Sequence, residues 1–197
     1  MCAEVLHDRD IREDLFDYLE LTCGKIRIIE EKQIGRTRAD VVMVTPDALV
    51  GIEIKSDADT YARLSRQVRD YDKCFDYNML VVGSRHALHA PENVPEHWGI
   101  LSAEMIRGSM DFYQVRGCQR NNKVQTVRKL SMLWRPELVH ILELNNLPKY
   151  KSKSKKFVVD KIAEKVDAGI LDPQISEELF QRDYTTIAEQ IEQYKKT

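Results

Sequence analysis

Apolar positions recur with two different periods along this chain, and the switches between them mark out its elements. From Asp10 to Leu21, Ile11, Leu15, Tyr18 and Leu19 fall on one face at helical spacing. Asp10 with Glu13 forms a candidate capping box at the start of that helix. Lys25 to Ile34 alternates loosely as a strand, and "RADVVMVT" (Arg38 to Thr45) and "ALVGIEIK" (Ala48 to Lys55) read as two more. Helical spacing returns over Asp59 to Asp76, with Leu64, Val68, Tyr71 and Phe75 on the inner face. "NMLVVG" (Asn78 to Gly83) is a continuous apolar run of the kind that forms a buried strand. A Pro-rich loop follows, then weaker strands near Trp98 to Ser102 and Met110 to Val115. Ser131 to Leu147, Phe157 to Ile170 and Ser176 to Tyr194 each show helical spacing again. The pattern predicts an α/β fold, with a core over 1–117 and a helical C-terminal region over 118–197.

The second and third strands are joined by "TPDA", Thr45 to Ala48. With Pro46 and Asp47 as the central turn residues, Thr45 pairs with Ala48. Counting back along the hairpin then sets Asp40 directly opposite Glu53, on one face, with Cβ atoms roughly 5 Å apart. Pro46 also suits a type I turn, whose bulge would shift the pairing by one. Two carboxylates so placed repel, the more so as water is excluded. A hard divalent cation such as Mg²⁺ or Mn²⁺ resolves that conflict, because it takes one or two carboxylates together with waters and phosphate oxygens. Lys55 lies two residues beyond Glu53 on the same face, where an ammonium can orient a water or offset charge on a phosphate. The same E-x-K also occurs as an ordinary ion pair on a half-exposed strand. In the following helix Gln67 and Tyr71 stand four apart, as Q-x-x-x-Y, with Gln67 at the edge of the buried face. A rim glutamine beside a core tyrosine has the same spacing.

Composition changes this picture little and charge distribution more. The 197 residues are 43% hydrophobic and 31% charged, enough for one main core and a small appendage. No apolar run is long enough to cross a membrane, and "MCAEVLHDRD" has no apolar stretch of the signal-peptide kind. Cys2, Cys23, Cys74 and Cys118 are scattered without a C-x-x-C pair, so reduced thiols and a cytoplasmic location are expected. The net charge is only −2, yet Arg116 to Arg135 holds six basic residues and no acid, and Lys149 to Lys156 holds five lysines. Such clusters suit a polyanion partner, or else a solvated surface. Arg63, Arg66 and Arg69 flank the proposed site, while Arg120, Lys123, Arg128 and Lys129 lie where the strands give way to helices.

The arrangement of Asp40, twelve residues, Glu53-x-Lys55 and then Gln67-x-x-x-Tyr71 resembles the PD-(D/E)XK nuclease superfamily. "RADVV…GIEIKSDADT…RLSRQVRDYDKCFD…LVVG" is similar in particular to the MmcB-like family of small bacterial and phage DNA-repair nucleases. The proline usual before the first acid is Ala39 here, and Q-x-x-x-Y is more typical of the superfamily's RecB-like branch. The resemblance implies a restriction-endonuclease-like αβββαβ core with a mixed central sheet. It implies Asp40, Glu53 and the Ile54 carbonyl as ligands of Mg²⁺ or Mn²⁺, and Lys55 as the residue that positions the attacking water. Gln67 and Tyr71 would complete the site, and Glu13 is the candidate for the further carboxylate that members often take from the first helix.

The resulting expectation is a metal-dependent nuclease acting on nucleic acid, DNA foremost, in repair, restriction or phage-related processing. Arg63, Arg66, Arg69, Arg120, Lys123 and Arg128 would bind the phosphate backbone. A non-catalytic nucleic-acid-binding or adaptor protein with the same fold is the rival. In a third reading the nuclease acts within a complex, with the C-terminal helices as the surface for a protein partner or a second copy. His86, His89 and His97 lack companions at ligand spacing. The sequence contains no phosphate-binding G-x-x-x-x-G-K-[ST] loop, no dinucleotide fingerprint and no G-x-S-x-G elbow.

Overall fold

The strand pattern resolves into one six-stranded sheet of order β1-β2-β3-β4-β5-β6, seen in a computed structural model that describes residues 6–182. Its strands are β1 (Arg27–Ile34), β2 (Thr37–Val44), β3 (Leu49–Lys55), β4 (Tyr77–Gly83), β5 (Gly99–Ile106) and β6 (Ser109–Arg116). The first three form an antiparallel meander, β3, β4 and β5 run parallel, and β6 returns antiparallel on β5. Helix α1 (Asp8–Cys23) precedes the sheet, and α2 (Leu64–Cys74) links β3 to β4. The α/β class and the C-terminal helices are therefore as the pattern indicates, and the sheet is mixed.

Alternation in the strands sorts the core into two faces. Val41 and Met43 of β2 and Ile52 and Ile54 of β3 pack with Ile11, Leu15 and Leu19 of α1. Val42 and Val44 of β2 and Leu49 of β3 face the other way, towards Leu64, Val68 and Tyr71 of α2. The same second cluster continues into the C-terminal helices through Leu130, Leu138, Val158 and Leu171, so they share the sheet's core.

Several expected elements differ in detail. Helix α1 starts earlier, capped at His7, and Asp10 is its third residue, accepting the His7 N–H at 2.8 Å. Glu13 is exposed and takes no part in that cap. Ser56 donates from its N–H and Oγ to Asp59 at 2.9 and 2.7 Å, so Asp59 belongs to a turn. A 3₁₀ turn at Tyr61–Arg63 then leads into α2. The expected Pro-rich loop contains two single-turn helices, α3 (Ser84–Ala87) and α4 (Ala90–Asn93). The helix expected over Ser131 to Leu147 is split into α5 (Thr126–Ser131) and α6 (Arg135–Leu144). Trp134 is extended between them, and Pro136 fits only in the first turn of α6, where no amide donor is needed. Likewise α7 (Lys155–Lys165) stops at the extended Val166, and α8 (Ala168–Gln181) begins afresh with Asp167 accepting from the Gly169 N–H at 2.8 Å. The helix expected over Ser176 to Tyr194 lies partly outside the described residues.

The seat of α2 against β3 depends on Gly51. A Cβ there would stand 2.1 Å from Cδ2 of Phe75, whose ring is fully buried against the strand. We expect Gly51→Ala to destabilise the fold by about 3 kcal/mol, since neither strand nor ring has room to yield. A urea unfolding midpoint unchanged by this substitution would contradict that packing. Among the described residues, no helix is long and apolar enough to cross a membrane.

Candidate active site

The hairpin that carries the site has a two-residue turn without a bulge. Thr45 donates to the Ala48 carbonyl at 3.0 Å, and the ladder runs from Val44 opposite Leu49 to Val41 opposite Ile52. That is the register expected from the turn as far as the paired residues run, and Asp40 and Glu53 are the next residues beyond its last pair. There the backbone ladder stops and a side chain takes over, because Asp40 Oδ2 accepts the Ile54 N–H at 2.9 Å. The strand is buried along its whole length rather than half-exposed, with Glu53 at 0% and Lys55 at 7% exposure. An ordinary surface ion pair is thereby excluded as the reason for E-x-K.

Glu53 is held from three sides. Lys55 Nζ and Gln67 Nε2 both donate to its Oε1, and the Tyr71 hydroxyl donates to Oε2 at 2.7 Å. Tyr71 also lies 3.2 Å from the Ile52 carbonyl and accepts the Asp40 N–H at 3.2 Å, so one phenol ties both strands to α2. Burial first, and then the charges of Glu53 and Asp40, push the Tyr71 hydroxyl well above its ordinary pKa, which keeps it a neutral donor. Q-x-x-x-Y works here because residues four apart on a helix lie one above the other.

Asp40, Glu53, Ile54, Lys55 and Gln67 line one cleft of about 250 Å³, and Arg63 from the 3₁₀ turn and Arg66 from α2 join them. Tyr71 lies beneath, fully buried. Arg69 and Arg128 line an adjoining pocket. Arg120 and Lys123 are instead engaged with acids of the protein, Arg120 with Asp172 at 3.6 Å and Lys123 with Asp72 at 3.2 Å. Lys129, grouped with them by sequence, is 1% exposed and bonded to Asp76, so it is no part of a surface. The histidines serve elsewhere: His97 bonds Asp72 at 2.9 Å, and His86 the Asp59 carbonyl at 3.1 Å.

The acid that α1 brings to the cleft is Asp8, not Glu13. Its Oδ2 pairs with Arg12 at 2.7 Å, while Oδ1 is buried without a hydrogen-bond partner. Arg12 in turn reaches the Asp40 carbonyl at 3.2 Å and Glu30 at 3.1 Å, fixing the helix to the strands behind the site. The sequence signal for Asp8 was its i, i+4 spacing to Arg12. Placing the start of the helix at Asp10 concealed it.

The electrostatics of the cleft are unresolved among its own residues. Burial first, and then the neighbouring Glu53 carboxylate, push Asp40 from its ordinary 3.8 up to about 7. Gln67 Oε1, like Asp8 Oδ1, is a buried acceptor with no donor. Orphaned oxygens beside two facing carboxylates are the donor chemistry that suits a hard cation. Among the described residues no three His, Cys, Asp or Glu side chains form a complete metal-binding cluster. A hard cation held by two carboxylates would keep part of its water shell.

Because Asp40 holds its proton more tightly folded than unfolded, it favours the folded state in acid. That support is complete below about pH 4 and is lost as the pH rises to about 7. Metal-free wild-type protein should lose roughly 2–4 kcal/mol over this interval that Asp40→Asn does not, since Asn keeps an acceptor for the Ile54 N–H. Urea unfolding of both proteins at the two pH values measures the difference. Parallel stabilities would show that Asp40 is not under this strain.

Fold and cleft together define a mixed α/β protein with a buried carboxylate–lysine site at the end of a β-hairpin. The chain belongs to the bacteriophage P4 protein cII family, whose family model matches residues 1–195. No curated protein and no solved structure matches it.

Proposed function

We propose that the chain is a divalent-metal-dependent nuclease of the PD-(D/E)XK kind, hydrolysing phosphodiester bonds in nucleic acid, with DNA as the first substrate to test. The observation that supports this most is the meeting of Asp40, Glu53 and Lys55 in one cleft, on facing strands, with the two acids in electrostatic conflict. Asp40, Glu53 and the Ile54 carbonyl would hold Mg²⁺ or Mn²⁺, which when bound supplies charge to polarise the phosphate and acidify a water. Gln67 and Tyr71 keep Glu53 in one rotamer, so the carboxylate is set before substrate arrives. The Lys55 ammonium, fixed at Glu53, donates towards the cleft and orients a water for attack on phosphorus. Arg63 and Arg66 hold the non-bridging oxygens of the strand.

The non-catalytic rival has one observation in its favour: Glu53 already has three donors, as a purely structural carboxylate would. Incubating the purified protein with a labelled oligonucleotide, in Mg²⁺ and in chelator, separates the two. Metal-dependent products ending in 5′-phosphate and 3′-hydroxyl support the nuclease. Binding without cleavage in Mg²⁺ and in Mn²⁺ supports the rival.

A further inference from the structure

Beside the cleft lies a second pocket, of about 590 Å³, that the catalytic reading does not use. It shares Arg36 and Arg66 with the cleft and adds Arg69, Lys73 and Arg128. Among the described residues, five cations thus face one hollow whose only acid is Asp70. That acid is occupied, since it accepts from Thr37 Oγ1 at 2.7 Å and lies against Gly35. It thereby ties down the β1–β2 turn that carries Arg36; Gly35 takes the left-handed φ of +59° there. Arg128 is brought in by backbone pairing, for the Gln125 N–H donates to the Lys73 carbonyl at 2.9 Å and starts α5 over the end of α2. Among the described residues, none of the five cations has an ion-pair partner, whereas Arg120, Lys123 and Lys129 nearby all do.

Five cations against the one Asp70 carboxylate leave an excess of positive charge at close quarters, which costs stability, so its persistence in one hollow points to a polyanion that fills it. Arg66, Arg69 and Lys73 stand on one face of α2, Lys73 seven positions beyond Arg66, about 10 Å along the helix axis. A duplex strand carries one phosphate per roughly 3.4 Å of helix axis, so cations spread over that length meet successive phosphates rather than a single one. We infer that this pocket is a backbone track that grips the phosphates of the same nucleic-acid strand on one side of the scissile bond. The substrate is then a chain several nucleotides long. This rests on the nuclease reading for the identity of the neighbouring cleft.

The test uses the full-length protein in chelator, so that no cleavage occurs, with a fluorescent 12-nucleotide single strand titrated at several salt concentrations. The triple variant Arg69→Gln, Lys73→Gln, Arg128→Gln is compared with wild type and with a control that removes three exposed charges elsewhere, Arg9→Gln, Arg107→Gln, Lys165→Gln. Losing three phosphate contacts should lower the slope of log affinity against log salt by about two and weaken binding more than about tenfold in low salt, with the control like wild type. A triple variant that binds with the wild-type slope, or a wild-type protein that does not bind the strand, overturns the track. The same oligonucleotide in Mg²⁺ reports separately on the nuclease. Absent cleavage with an altered slope would remove the catalytic reading and leave the track standing, and cleavage with an unaltered slope would do the reverse.

Discussion

Purified Glu53→Gln and Lys55→Met are expected to lose Mg²⁺-dependent cleavage by about 1,000-fold or more while remaining folded. The fold should survive Glu53→Gln because its new oxygen can still accept from Lys55 and Gln67. Tyr71 can turn its proton to the Ile52 carbonyl, 3.2 Å away, and accept from the new amide. Lys55→Met removes a buried ammonium from a site where Glu53 keeps two other donors. Circular dichroism with single-turnover cleavage separates loss of chemistry from loss of structure. Wild-type rates in either variant would place the activity elsewhere on the chain or in a contaminant.

Asp76→Ala should cost about 4 kcal/mol, most of the stability of a typical domain, although it lies outside the cleft. Asp76 is 1% exposed and accepts from Lys129 Nζ at 2.8 and 3.0 Å and from the Leu49 N–H at 2.8 Å. Removing it leaves the 1%-exposed Lys129 ammonium with Asp172 alone, and leaves a strand amide at the start of β3 unpaired. The double variant Asp76→Asn, Lys129→Met should recover much of the loss, because neither buried charge then remains. Urea unfolding of wild type and both variants decides it. A small loss in Asp76→Ala would mean that the α5–β3 linkage is not what joins the C-terminal helices to the sheet.

How legible these features were depended on whether the controlling interaction was local. The hairpin register followed from four residues, Thr45 to Ala48, and with it the face shared by Asp40 and Glu53, because side chains alternate with period two. The inner face of α2 was legible for the same reason, since Leu64, Val68, Tyr71 and Phe75 are all buried. Helix ends were not, because Asp59 prefers a local side-chain turn and Pro136 restarts a helix that hydrophobic spacing alone would run through. Charge was the least legible quantity. A run of basic residues contains Lys129, wholly buried on Asp76, beside Arg128, which faces an open pocket, and charge alone does not separate neighbours that lie about 100° apart around a helix. Asp8 and Arg36 reach the cleft only through the packing of α1 and the β1–β2 turn.

The most direct test of the central claim is calorimetric titration of Mn²⁺, and then Mg²⁺, into the metal-free protein at pH 8. Asp40 and Glu53 predict binding at one site in the wild type, abolished in the folded double variant Asp40→Asn, Glu53→Gln. A folded wild type that takes up neither ion, with or without oligonucleotide present, or a double variant that binds as the wild type does, would contradict the account.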